Sequence, residues 1–144
     1  MDLDWNPHLY GGALETLQPN RWHTSSALDG PTFRFETAPQ GLGGVARYSP
    51  AGMYGAGLQY GWRIPGTPLT LTPSAGLAYV EPTMPELPLK HPFQLGLQAS
   101  TPLPMPFNWP DARLALEYLH MSNAGQKQPN IGLDTLSFML GYPF

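Results

Sequence analysis

The sequence predicts an all-β fold, eight antiparallel strands closed up-and-down into a transmembrane β-barrel, with residues 1–144 forming a single barrel domain. Three observations carry that prediction. Apolar residues recur with period two over segments of about ten residues, which is the signature of strands. One face of each segment is large and apolar, while the other is small, polar or charged and rich in glycine. Only 12% of the residues are charged and the chain has two lysines, about half the charge a water-soluble domain carries. A soluble sandwich would turn its apolar faces inward and dress its outer faces with Lys and Glu. Here the pattern inverts: the apolar face meets lipid and the small polar face fills a narrow interior. Closure also removes the open strand edges, whose backbone groups lipid cannot satisfy.

The strands are expected at 8–17, 31–37, 42–48, 52–64, 68–80, 92–101, 111–122 and 133–144. Residues 20–28 either extend the first strand or join the loop after it. In the fourth, Tyr54, Ala56, Leu58, Tyr60, Trp62 and Ile64 alternate with Met53, Gly55, Gly57, Gln59, Gly61 and Arg63. The fifth sets Leu69, Leu71, Pro73, Ala75, Leu77 and Tyr79 against Thr70, Thr72, Ser74, Gly76 and Ala78. In the sixth, Phe93, Leu95, Leu97 and Ala99 oppose Gln94, Gly96, Gln98 and Ser100; in the seventh, Leu114, Leu116 and Tyr118 oppose Arg113, Ala115 and Glu117. The last alternates Leu136, Phe138, Leu140, Tyr142 and Phe144 with Thr135, Ser137, Met139 and Gly141. The Pro-rich stretches 81–92 and 102–110 are connections. Gly55, Gly57 and Gly96 read as packing residues of a tight interior. Trp5, Trp22, Trp62, Trp109 and Tyr142 fall near strand ends, as interfacial girdles do, although aromatics favour strands in any sheet. A terminal Phe144 suits the aromatic ending by which outer-membrane barrels are recognised for assembly.

Composition excludes several classes of function. Net charge is −3 and the basic residues are scattered, so the chain carries no footprint for nucleic acid. Without cysteine there are neither disulfides nor thiolate metal sites, which suits any redox compartment. No run approaches the roughly 18 apolar residues of a membrane helix, and no signal peptide opens the chain. Met1-Asp2-Leu3-Asp4 reads as a start replacing a removed export signal; a native Met1 would put export by the usual route in doubt.

The chemistry concentrates between residues 113 and 134. His120 and Ser122 stand at i and i+2 of a strand, so both project to one side, roughly 6–7 Å apart at Cα, within reach for a base and a nucleophile. Asp134 follows across a hairpin. With residue i opposite 254 − i, His120 faces Asp134 and Leu116 faces Phe138. The parity that sends Tyr118 to lipid sends His120, Ser122 and Asp134 there too. A hydrolytic Ser-His-Asp set on the outer wall of a barrel points to a lipid substrate. Glu117, the rival acid, falls on the interior face and is expected to pair with Arg113 or another buried base. His8, His23 and His91 read as ordinary loop or interface histidines.

The run His120-Met121-Ser122-Asn123-Ala124-Gly125-Gln126-Lys127-Gln128-Pro129-Asn130-Ile131-Gly132 resembles the signature of PagL-type lipid A 3-O-deacylases. The likeness is strongest from Arg113 to Phe144. It implies an eight-stranded barrel in the bacterial outer membrane, its active site toward the outer leaflet, that removes the ester-linked 3-hydroxyacyl chain at the 3-position of lipid A. By the same resemblance His120 is the general base, Ser122 the nucleophile and Asp134 the acid, where a known member of the family has Glu, one methylene longer. Asn123, Gly125 and Asn130 are candidates to position substrate or donate to the oxyanion, by side chain or backbone. Lys127 and Arg63 are candidates to approach the lipid A phosphates. The implied partners are lipid A, or lipopolysaccharide, and outer-membrane lipids, with a homodimer left open; the scheme asks for no metal and no cofactor.

Other classes fit parts of the pattern. A non-enzymatic small barrel, adhesin or structural, needs only the alternation. A lipid esterase acting on another acyl ester keeps the triad. A barrel carried on a phage particle that meets lipopolysaccharide would need no export signal.

Overall fold

The computed structural model describes residues 6–17, 30–50, 52–80, 93–102, 112–122 and 133–143. Eight strands run in chain order: β1 (His8–Leu17), β2 (Gly30–Glu36), β3 (Gly41–Ser49), β4 (Met53–Arg63), β5 (Thr70–Val80), β6 (Phe93–Pro102), β7 (Arg113–Ser122) and β8 (Leu133–Pro143). Each pairs antiparallel with the next, and β1 closes on β8 from His8 opposite Pro143 to Leu17 opposite Asp134. Every boundary falls within two residues of the one expected from periodicity. β5 begins at Thr70 because Pro68 and Leu69 belong to a hairpin turn, in which the Ile64 N–H donates to the Leu69 carbonyl at 2.9 Å. Gly66 takes the positive φ of 79° that this turn requires. Pro102, read as connection, still pairs with Arg113. Residues 20–28, 81–92 and 103–110 lie outside the described residues.

Alternation sorts the side chains as lipid demands. Tyr54, Leu58, Tyr60 and Trp62 on β4 are each more than half exposed, at 53%, 65%, 55% and 58%, whereas Met53 and Gln59 on the other face are buried. Leu77, Leu95, Leu116 and Phe138 continue the apolar outer wall. Thr72, Gln94, Gln98, Ser100 and Thr135 line the filled interior. This arrangement, polar within and apolar without, makes the chain a transmembrane-type barrel.

Aromatics mark both rims, by residues only partly foreseen. On one rim Phe33, Tyr48, Tyr54 and Tyr79 form a row with successive ring centroids 6.3, 5.1 and 6.4 Å apart. Trp62 and Tyr142 lie toward the other. Trp5, Trp22, Trp109 and Phe144 are outside the described residues.

An ionic network staples the interior. Glu117 accepts from Arg34 Nε at 3.0 Å and from Arg47 Nε and Nη2 at 2.9 and 2.8 Å. Arg34 Nη1 donates to Glu36 at 2.7 Å, and the Tyr10 hydroxyl donates to the same carboxylate at 2.9 Å. Arg34 also donates to Gln59, and Arg47 to Ser74. Glu117 is therefore structural, as expected, and of the two alternatives, Arg113 or another buried base, it takes the second, while Arg113 donates to Ser100 and Thr70. The reason is geometric: four residues along one strand are about 13 Å, whereas β2 and β3 face Glu117 directly across the narrow lumen. Gly57 belongs to this packing as expected, since a Cβ there would lie 2.2 Å from the Ala75 carbonyl oxygen; Cβ atoms at Gly55 and Gly96 would meet Gln94 and Ser74. His8 corrects its expectation. It is no loop or interface residue but a buried one, 1% exposed, with Nδ1 3.0 Å from the Asn6 carbonyl oxygen.

Candidate active site on the outer wall

The site begins with β7, whose inward residues leave it no freedom. Arg113, Ala115, Glu117, Leu119 and Met121 are all buried in the lumen, so positions 114, 116, 118 and 120 must face outward. A slip of one residue would drive Glu117 into lipid and break its two arginine pairings. The β7–β8 ladder places Glu117 opposite Ser137, Leu119 opposite Thr135, Leu116 opposite Phe138 and His120 opposite Asp134. That is the register expected from the sequence.

His120 Nδ1 lies 2.6 Å from Asp134 Oδ1. Both side chains are about one-third exposed, at 37% and 38%, so the pair is open at the wall rather than sealed in the lumen. The Tyr118 hydroxyl donates to the same Oδ1 at 2.7 Å. With the imidazole proton on Nδ1 toward Asp134, Nε2 carries the basic lone pair. The arrangement can hold a histidine in one tautomer and accept a proton from a nucleophile on the outer side.

β7 keeps its pairing through Ser122, which stands opposite Phe93 and two residues along the strand from His120. Asn123, Gly125 and Asn130, and with them Lys127, lie outside the described residues, as do His23 and His91. Arg63 is not near the site. It ends β4 at the β4–β5 hairpin, where its Nε donates to the Thr67 carbonyl at 3.3 Å. In an up-and-down barrel that hairpin is at the end opposite the β7–β8 connection, so its expected approach to the phosphates of a lipid held at His120 fails. Among the described residues no group of three or more His, Cys, Asp and Glu side chains is gathered as a metal would need.

Sequence reading missed Tyr118, assigning it only to lipid. The available signal was its place two residues before His120 on the same side of β7, on the diagonal from Asp134.

Comparison with known proteins bears on the whole chain. The family model described as Lipid A 3-O-deacylase (PagL) matches residues 2–143. A solved structure described as the outer membrane enzyme PagL superposes with a TM-score of 0.49 at 16% identity, covering 96% of this chain and 99% of that one. No curated protein matches in sequence.

Proposed function

We propose a reaction for this chain from one premise: it belongs to the lipid A 3-O-deacylase (PagL) family. The protein is a serine esterase of the bacterial outer membrane that hydrolyses the ester-linked 3-hydroxyacyl chain at the 3-position of lipid A. The observation that carries this reading is the His120–Asp134 pair on the outer wall, 2.6 Å apart and open to the surroundings. A lumenal acid such as Glu117 has no access to a bilayer substrate; an outward pair meets the acyl chains of lipid at once.

Asp134 accepts the Nδ1 proton of His120 and holds the ring with Nε2 free to act as base. Nε2 takes the Ser122 hydroxyl proton as Oγ attacks the ester carbonyl. The tetrahedral oxyanion is stabilised by donors from Asn123, Gly125 or Asn130. Its collapse breaks the bond between the acyl carbon and the sugar oxygen, to which His120 returns the proton. Water, deprotonated by His120, then attacks the acyl-enzyme, releasing the 3-hydroxy fatty acid and restoring Ser122. With both chain termini on the periplasmic side, connections after odd-numbered strands face the cell exterior. The β7–β8 connection and the site beside it then sit at the outer leaflet, where lipid A resides.

Labelling with a fluorophosphonate tests the nucleophile. The folded protein in detergent is expected to take one adduct, mapped to Ser122, with labelling slowed in His120→Ala. An adduct elsewhere, or none on the folded barrel, would remove Ser122 from the reaction.

A further inference from the structure

We propose that Tyr118 is a positioning residue for deacylation: its hydroxyl fixes the Asp134 carboxylate so that the oxygen it holds also holds the His120 ring. This rests on the reading of His120 and Asp134 as base and acid. Tyr118 and His120 stand two apart on the outer side of β7, and Asp134 lies directly across from His120. The phenol therefore reaches along the diagonal, and the two donors converge on Oδ1 at 2.7 and 2.6 Å.

The surroundings explain why such a residue is needed. Asp134 is on the apolar wall, away from the lumenal arginines that anchor Glu117. A carboxylate about one-third exposed, with one partner, is free to swing toward water or head groups. A second donor removes that freedom, and a hydrogen bond to an ionised oxygen is stronger than a neutral one. For contact with lipid alone the position has no need of a hydroxyl: the ladder neighbours of Tyr118 are Leu97 and Leu136. Its ring supplies the apolar body and its tip the polar handle.

The test compares wild type, Tyr118→Phe, Asp134→Asn and the double variant, each verified as folded by its heat-modifiable gel mobility. Tyr118→Phe keeps the ring and removes only the donor. It is expected to lower kcat roughly 3- to 10-fold with KM changed less than about 2-fold, the net scale of one typical hydrogen bond. In the Asp134→Asn background the same change is expected to cost nothing further. A second readout needs no turnover. In protein labelled with nitrogen-15 histidine, the downfield Nδ1 proton of His120 should be lost in Asp134→Asn and displaced in Tyr118→Phe. Wild-type kcat with an unmoved resonance in Tyr118→Phe would overturn the proposal, as would a change in KM alone or an equal loss in both backgrounds. Wild-type turnover in both Asp134→Asn and Ser122→Ala would instead bring down the triad itself, and the proposal with it.

Discussion

Asp134 stands directly across the β7–β8 ladder from His120, its Oδ1 2.6 Å from the ring Nδ1, on the outside of a closed barrel. The relationship joins two levels of the molecule. The buried pairs Leu119–Thr135 and Glu117–Ser137 hold the register from within the lumen, and that register sets the outward pair face to face. Packing on one side of the wall thus positions the His120–Asp134 pair on the other.

Asp134→Asn is expected to lower kcat by about a hundredfold or more, with KM nearly unchanged, because the amide no longer favours the tautomer that leaves Nε2 basic. Steady-state release of fatty acid from lipid A micelles measures both constants. Full turnover in this variant would exclude Asp134 as the acid.

Glu117→Gln separates the lumenal carboxylate from that of Asp134. It leaves Arg34 and Arg47 without their shared counter-charge, and breaking a buried ion pair in this way costs about 3–5 kcal/mol. Denaturant unfolding in micelles should show that loss, while the folded variant retains a kcat near that of wild type. A large fall in kcat without loss of stability would make Glu117 the working acid.

Leu116→Arg tests which side of the wall meets lipid. Leu116 is 45% exposed near the middle of β7, and an arginine on the lipid face near the midplane costs about 2–4 kcal/mol. Unfolding from bilayers should report the difference. An unchanged midpoint would mean that this face is not in hydrocarbon.

Gly57→Val tests the lumenal packing. The added Cβ would stand 2.2 Å from the backbone oxygen of Ala75, an atom that no rotamer change can move aside. The expected outcome is failure to close the barrel, read as loss of the heat-modifiable band. A normally folded variant would show that β4 and β5 can separate.

What the sequence made legible, and what it did not, follows from how far each interaction reaches. The strands, their inward and outward faces on β4 to β8, and the pairing of His120 with Asp134 depend on local alternation and one hairpin register, and all could be read along the chain. The partners of Glu117 could not. Arg34 and Arg47 lie 83 and 70 residues away and meet it only because the barrel closes; Arg113, close in sequence, points to a different level of the lumen. Charge alone makes Arg63 a candidate for the lipid phosphates, and only the parity of the hairpins shows it at the opposite rim. Tyr118 was legible as an outward residue but not as a donor, because a diagonal hydrogen bond has no period in the sequence. Asn123, Gly125 and Asn130 were named from a motif beyond the last residue of β7.

The most direct measurement is mass spectrometry of lipid A after incubation with the folded protein in detergent, beside Ser122→Ala. Loss of one 3-hydroxyacyl mass from the 3-position with wild type, and no loss with the variant, is the predicted result. Intact lipid A in both samples, or equal loss in both, would contradict a deacylase built on Ser122.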